Sequence, residues 1–280
     1  MANIPYPPPR PLSAAEVLDL TFRIYRATVV KCLLLAGLGV IAGQLPNIYN
    51  LTRGRPLRGG AALQNMLAQF ADPGFWLAYA AGLILSVICY AAVLLRQHHL
   101  LRGSAAGGEF VAALRRLLAL IGLGILIALS VLVCFAPVLL ASGALRGLLA
   151  VVLLIPASYV LIAVSCANTV LLVDGSGTLA SYVRSWRLTA GSFWRLSIIY
   201  FVALVVLFVL YAVTAGIAGF LAAALGRGDV AVATATMGVV AVLLGAFATP
   251  FYTALALAVL GDLTVRKEGA DLEQRISATA

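Results

Sequence analysis

The side chains suited to acid–base or metal chemistry are few in this chain. Its only histidines are the adjacent pair His98 and His99, and the nearest acid in sequence is Glu109. Neighbouring helical residues point about 100° apart, and a metal site needs three or four ligands of matched geometry. The pair therefore reads as interfacial polar residues. Gly175-Ser176-Gly177 resembles a nucleophile turn, but a serine nucleophile needs a base and a group to orient that base. No histidine lies within an apolar run, so a flexible turn and helix cap are expected there. Cys32, Cys89, Cys134 and Cys166 lack Cys-x-x-Cys spacing and read as small apolar fillers. Neither a His-Glu-x-x-His motif nor a phosphate loop ending in Gly-Lys is present. No catalytic residue, metal or cofactor is assigned, and a non-enzymatic protein is expected.

The elements that carry these residues are unusually apolar. Of 280 residues, 63% are hydrophobic and 10% charged, against about a quarter charged in a soluble domain. Apolar runs at about 27–47, 75–96, 117–140, 147–172, 196–225 and 230–261 each meet the roughly 20 residues a helix needs to cross hydrocarbon. A barrel would show short alternating segments in place of unbroken Leu/Val/Ala runs. The expected fold is all-α: a polytopic bundle of six transmembrane helices. Residues 1–26 form a Pro-rich arm and amphipathic helix, 27–261 the membrane domain, and 262–280 a charged tail. Glu16, Asp19 and five early prolines argue against a cleaved leader in the first segment.

Lysine and arginine set the orientation. Arg10, Arg23, Arg26, Lys31, Arg96, Arg102, Arg115, Arg116, Arg184, Arg187, Arg195, Arg266, Lys267 and Arg275 fall on one side, and Arg53, Arg55, Arg58, Arg146 and Arg227 on the other. The excess predicts that both termini lie in the cytoplasm. The net charge of +9 then serves topology and attraction to anionic headgroups. No basic domain stands clear of the bilayer, so nucleic acid is not an expected partner.

Each segment before an outward-going helix has a related pattern. Ser13-Ala14-Ala15-Glu16 is a capping box, followed by Glu16, Asp19, Arg23 and Arg26 on one stripe. The second copy runs from Gly108-Glu109-Phe110 to Arg116. In the third, Leu179, Tyr182, Val183 and Trp186 form an apolar face opposite Ser181, Arg184 and Ser185. These are expected as short interfacial helices, in the headgroup plane or beneath the bundle. Three such copies predict three helical hairpins in pseudo-threefold order. In the 48–74 loop, Leu63, Met66, Leu67 and Phe70 predict an external surface helix closed by Asp72-Pro73-Gly74, and Asn50-Leu51-Thr52 matches a glycosylation sequon.

No acid lies at the centre of any run, and Lys31 is near enough to the inner surface to snorkel. Asn168 and Thr169 are the candidate lining of a polar cavity. Gly39-x-x-x-Gly43 predicts close helix approach, and Pro137, Pro156 and Pro250 predict kinks or helix ends. Trp76, Trp186 and Trp194 fit two aromatic belts. The candidate headgroup or partner contacts are Arg23, Arg26, Arg115, Arg116, Arg184, Trp186, Arg187, Trp194, Arg195, Arg266 and Lys267. Membrane phospholipids are the expected partners. A protein docked at the cytoplasmic face and self-association through glycine-rich helices are further options.

Three stretches together carry a resemblance: Arg10-Pro11-Leu12-Ser13 through Glu16-Val17-Leu18-Asp19 to Arg26; Arg184-Ser185-Trp186-Arg187-Leu188-Thr189 with Gly191 and Phe193-Trp194-Arg195; and Asp262-Leu263-Thr264-Val265-Arg266-Lys267-Glu268-Gly269 with Asp271-Leu272-Glu273. In this order, over nearly the whole chain, they resemble a bacterial six-helix family labelled the membrane domain of glycerophosphoryl diester phosphodiesterase. The resemblance implies the six-helix topology and a bacterial inner membrane. It implies no hydrolysis, which in the family's namesake belongs to a separate soluble barrel that this chain is expected to lack. Where relatives often carry tyrosines before the tail aspartate, this chain has Leu260-Gly261. The expected role is a scaffold or accessory subunit acting through the cytoplasmic helices. The alternative is an uncoupled transporter or channel for a lipid-like molecule.

Overall fold

The computed structural model describes residues 5–53, 68–104, 107–226 and 230–269. The described chain is all-α, with six helical stretches long and apolar enough to cross a membrane. The Leu63, Met66 and Leu67 part of the expected surface helix lies outside the described residues.

Helix α1 (Ala14–Gly43) starts at the Ser13 capping box and runs 30 residues without a break. The amphipathic segment and the first span are thus one rod, because nothing between Arg26 and Ala27 interrupts the amide ladder. A short α2 (Leu45–Thr52) turns the chain at the far end, and α3 (Pro73–Leu101) returns from an Asp72 cap. Then follow α4 (Glu109–Arg115) and the third span, α5 (Leu117–Leu140).

The fourth span is helical in three pieces, α6 (Gly143–Val152), α7 (Leu154–Ala163) and α8 (Ala167–Asp174). Pro156 has no amide to offer the Val152 carbonyl, which accounts for the first break. The second has another cause. The Ala163 carbonyl accepts the hydroxyls of Ser185 at 2.8 Å and Thr189 at 3.1 Å. Ala167 N, its regular helical partner, bonds the Val164 carbonyl instead, at 3.0 Å. Those hydroxyls come from α9 (Thr178–Thr189). Two long helices complete the chain, α10 (Phe193–Gly226) and α11 (Val230–Glu268), the latter with Pro250 inside it.

Helix α1 packs along α11 and α3, and α10 along α11. The α1–α3 crossing depends on small residues. A Cβ on Gly39 would lie 2.8 Å from Cys89 Cβ, and one on Gly82 would lie 2.5 Å from the Ala42 carbonyl oxygen. Ser86 Oγ donates to the Gly39 carbonyl at 2.8 Å, a bond across the same close approach. The far-end turn is tied by Asn50 to Gln69 at 2.9 Å and Tyr49 to Asp72 at 3.1 Å. The sequon asparagine is therefore buried and engaged.

The core lies toward the arginine-rich end. One cluster joins Val17, Leu20 and Ile24 of α1 to Leu196 and Ile199 of α10 and to Phe251, Leu255, Val259 and Leu263 of α11. A second joins Ala91 and Leu94 of α3 to Leu120 and Leu123 of α5 and to Leu171 of α8. Residues 253–263 of α11 are buried without exception, so this stretch is the central rod. In the far half, Leu132, Val133 and Leu139 of α5 and Leu204, Phe208 and Phe220 of α10 face outward. Their exposure fits a hydrocarbon surround. The three hairpins follow in chain order but pack unequally: the second and sixth spans are the most buried and the third the least.

Candidate functional site: an ionic clasp and a basic recess

Asp262 sits on the central rod with only 1% of its surface accessible. Pro11 holds the arm extended just before α1, leaving the Leu12 amide without a helical partner. That amide donates to Asp262 Oδ1 at 2.7 Å. Arg195, in the first turn of α10, donates from Nη1 to Asp262 Oδ2 at 2.7 Å and from Nη2 to the Leu12 carbonyl at 2.7 Å. Arg266, one turn along α11, donates from Nε to both Asp262 oxygens at 3.2 Å, and its Nη2 also reaches the Leu12 carbonyl. One carboxylate thus joins the arm, α10 and α11, and each charge finds its partners before it is buried.

The arm continues the clasp inward. The Tyr6 hydroxyl donates to the Leu257 carbonyl at 3.2 Å, and its ring meets His98 edge-on at 5.9 Å. Burial raises the phenol well above its ordinary pKa, which keeps it a donor. Gly261 is what lets the arm lie here. A Cβ at that position would be 3.0 Å from the Tyr6 ring and 3.1 Å from Pro8. A second clasp holds α9 to the end of α11. Arg184 grips Glu268 with two bonds, at 3.0 and 2.7 Å, and also reaches Asp174. The hydrogen bonds that Arg184 donates to Glu268, with the charge of Asp174, raise the Arg184 pKa further and keep it charged.

Of the residues expected to contact headgroups or a partner, Arg184, Arg195 and Arg266 are therefore engaged within the chain. Arg23 lies 3.9 Å from Asp19 in an exposed pair, a contact worth little. Among the described residues no carboxylate pairs with Arg26, Arg115, Arg116, Arg187 or Lys267. Trp186 packs between Tyr182 and Tyr159, whereas Trp194 is 78% exposed beside Phe193. On α9 the hydroxyl face turns inward: Ser181 and Ser185 are buried, and Leu179 and Val183 are exposed.

Arg115 and Arg116 line a recess of about 490 Å³ with Leu171 and the Gly175–Gly177 turn. The Ser176 hydroxyl bonds that of Ser181 at 2.7 Å, so its partner is another hydroxyl, not a base. His99 stands 3.9 Å from Glu109. Among the described residues no cluster of three His, Cys, Asp or Glu side chains could hold a metal ion. Cys32, Cys89 and Cys166 are buried, and all four cysteines are free.

Asn168 is half-buried. Thr169 is fully buried with its hydroxyl unbonded. Two polar groupings lay beyond the reach of sequence reasoning. Gln97 Nε2 bridges Thr28 Oγ1 at 3.0 Å and the Pro250 carbonyl at 2.9 Å, joining α1, α3 and α11. Tyr90 and Tyr252 lie 6.2 Å apart, with Tyr200 beside Ser165 at the second break of the fourth span. Tyr252 is 46% accessible on an otherwise buried stretch. These residues come from separate spans, and no spacing along the chain marks them. Family models, curated proteins and solved structures show no match to this chain.

Proposed function

We propose that this is a non-enzymatic, multi-pass protein of the bacterial inner membrane, with its arginine-rich end and both termini in the cytoplasm. That face acts as a scaffold, organising anionic lipid and docking a protein partner. One observation carries the reading. The two clasps tie the elements of the basic end together while, among the described residues, no carboxylate pairs with Arg26, Arg115, Arg187 or Lys267. Exposed Leu179, Val183 and Trp194 accompany them. Cations beside apolar side chains suit the boundary between headgroups and acyl chains, and each cation contributes about 1 kcal/mol near an anionic surface. The test is native mass spectrometry after gentle solubilisation. The triple variant Arg26→Glu, Arg187→Glu, Lys267→Glu is expected to retain less anionic phospholipid and fewer co-purifying proteins than the parent. Unchanged companions would overturn the reading.

A second reading has its own support in the cluster of Tyr90, Tyr200 and Tyr252. Hydroxyls of this kind would guide the polar end of a lipid-like molecule through the bundle without ion coupling. In proteoliposomes, lipid scrambling that falls in a Tyr252→Trp variant would favour this role. A parent protein that scrambles no faster than empty vesicles would remove it.

A further inference from the structure

We propose that the recess between Arg115, Arg116 and the Gly175–Gly177 turn is a phosphate site, and that its phosphate is carried by a phospholipid headgroup. This rests on the reading of the basic end as a lipid-facing surface and goes further by assigning one defined site.

The recess exists because the chain breaks between α4 and α5. Consecutive residues on an unbroken helix diverge too far to share one pocket. Here α4 ends at Arg115 and α5 begins at Leu117, with Arg116 at φ −101° and ψ 3° in the junction. Both arginines consequently line the same space. Arg116 is held ready: Nη1 donates to the Leu171 carbonyl at 2.6 Å. Its group also lies over Gly175, where a Cβ would come within 2.6 Å of Nη2. Gly175 has φ +73°, a conformation that glycine adopts without strain. One of the guanidinium's donors is spent on Leu171, and the others remain for a ligand.

Among the described residues the charge of the recess is uncompensated, and no carboxylate lines it. Asp174, the acid next to the turn, is committed to Arg184, and Glu109 accepts from the Gly107 amide. The first turn of α9 starts at the rim, and its Gly177 cap brings no side chain to the free amides there, which adds a partial positive charge. An anion with several acceptor oxygens satisfies such a set, and phosphate matches guanidinium geometry. The volume lies within the usual range for small-ligand pockets. The neighbouring residues indicate the carrier. Leu114 on α4, Leu118 on α5 and Leu179 on α9, each within two positions of a lining residue, are all exposed, Leu118 at 84%. Apolar side chains around an anion site suit a molecule whose phosphate is attached to acyl chains.

The test uses the full chain in detergent, titrated with phosphatidylglycerol, with phosphatidylcholine and with inorganic phosphate, and read by native mass spectrometry. One tightly held phosphatidylglycerol per chain is expected. Arg115→Gln and Arg116→Gln should each weaken it about tenfold, the loss of a charge-assisted hydrogen bond. Arg115 is exposed, so its variant tests the site even if the Arg116 variant folds poorly. Arg187→Gln should release loosely held lipid and spare the tight one. Equal losses in all three variants would overturn the site and leave the general surface reading standing. No retained anionic lipid in the parent would overturn both. Inorganic phosphate bound through Arg115 and Arg116, with no preference for phosphatidylglycerol, would overturn the lipid assignment.

Discussion

Asp262 has the most to lose from a single change. It is buried, and its carboxylate is shared by a backbone amide and two arginines from three parts of the chain. Asp262→Ala would leave Arg195 partly buried and unpaired, at a cost of about 3 kcal/mol. Combining Asp262→Leu with Arg195→Met removes both charges and should recover much of that loss. Thermal unfolding in detergent checks it, and equal midpoints for the single and double variants would show that the pair carries no coupling. Tyr6→Phe should cost about 1 kcal/mol through the lost bond to Leu257. It should also quicken hydrogen exchange at the Leu12 amide, which the docked arm holds against Asp262, and an unchanged exchange rate would mean the phenol does not hold the arm. Arg184, Arg195 and Asp262 stand out in the sequence, but their pairings do not. The partners lie 84 and 67 positions apart, and a linear pattern carries no cue to which guanidinium meets which carboxylate. The arm at Leu12, the stretch from Arg184 to Arg195 and the stretch from Asp262 to Glu268 converge on these clasps.

Among the elements, α9 shows what periodicity can and cannot supply. Its two faces are legible from residue spacing, but their direction is not. In water the Leu179 and Val183 face would turn inward, whereas against lipid the apolar face is at home outside. The serines then serve as internal donors. The break at 164–166 is equally hidden, because its cause is a pair of hydroxyls on another helix, while the break before Pro156 can be read directly. Replacing Ser185 and Thr189 together with alanine leaves the Ala163 carbonyl without either donor. Hydrogen exchange should then quicken in the 164–167 turn and in α9. Unaltered exchange would mean that the hydroxyls do not set the break. The Gly39-x-x-x-Gly43 spacing is legible as a close-approach signal, whereas the approach at Gly82 is seen only in the fold. Gly82→Leu should destabilise the protein by about 1–3 kcal/mol through overpacking against Ala42, and a thermal midpoint equal to the parent's would contradict that packing.

On the scale of the whole molecule, six spans were legible because hydrocarbon demands long apolar runs with internally bonded backbones, a local requirement written in composition. The division into a packed basic half and a loosely packed far half was not. It depends on which apolar residues meet protein and which meet lipid, and the two surroundings select the same side chains. The clasps, the recess and the cations outside the clasps all lie at one end, so the proposed role depends on the side of the membrane that end occupies. With Cys134 replaced by alanine, the remaining cysteines are buried. Arg53→Cys and Arg187→Cys can then report the two faces, labelled by a membrane-impermeant maleimide on spheroplasts before and after permeabilisation. The expected result is labelling at position 53 from outside and at position 187 only after permeabilisation. Labelling at position 187 on intact spheroplasts, with position 53 protected, would place the basic end outside the cell and contradict its role at the cytoplasmic leaflet.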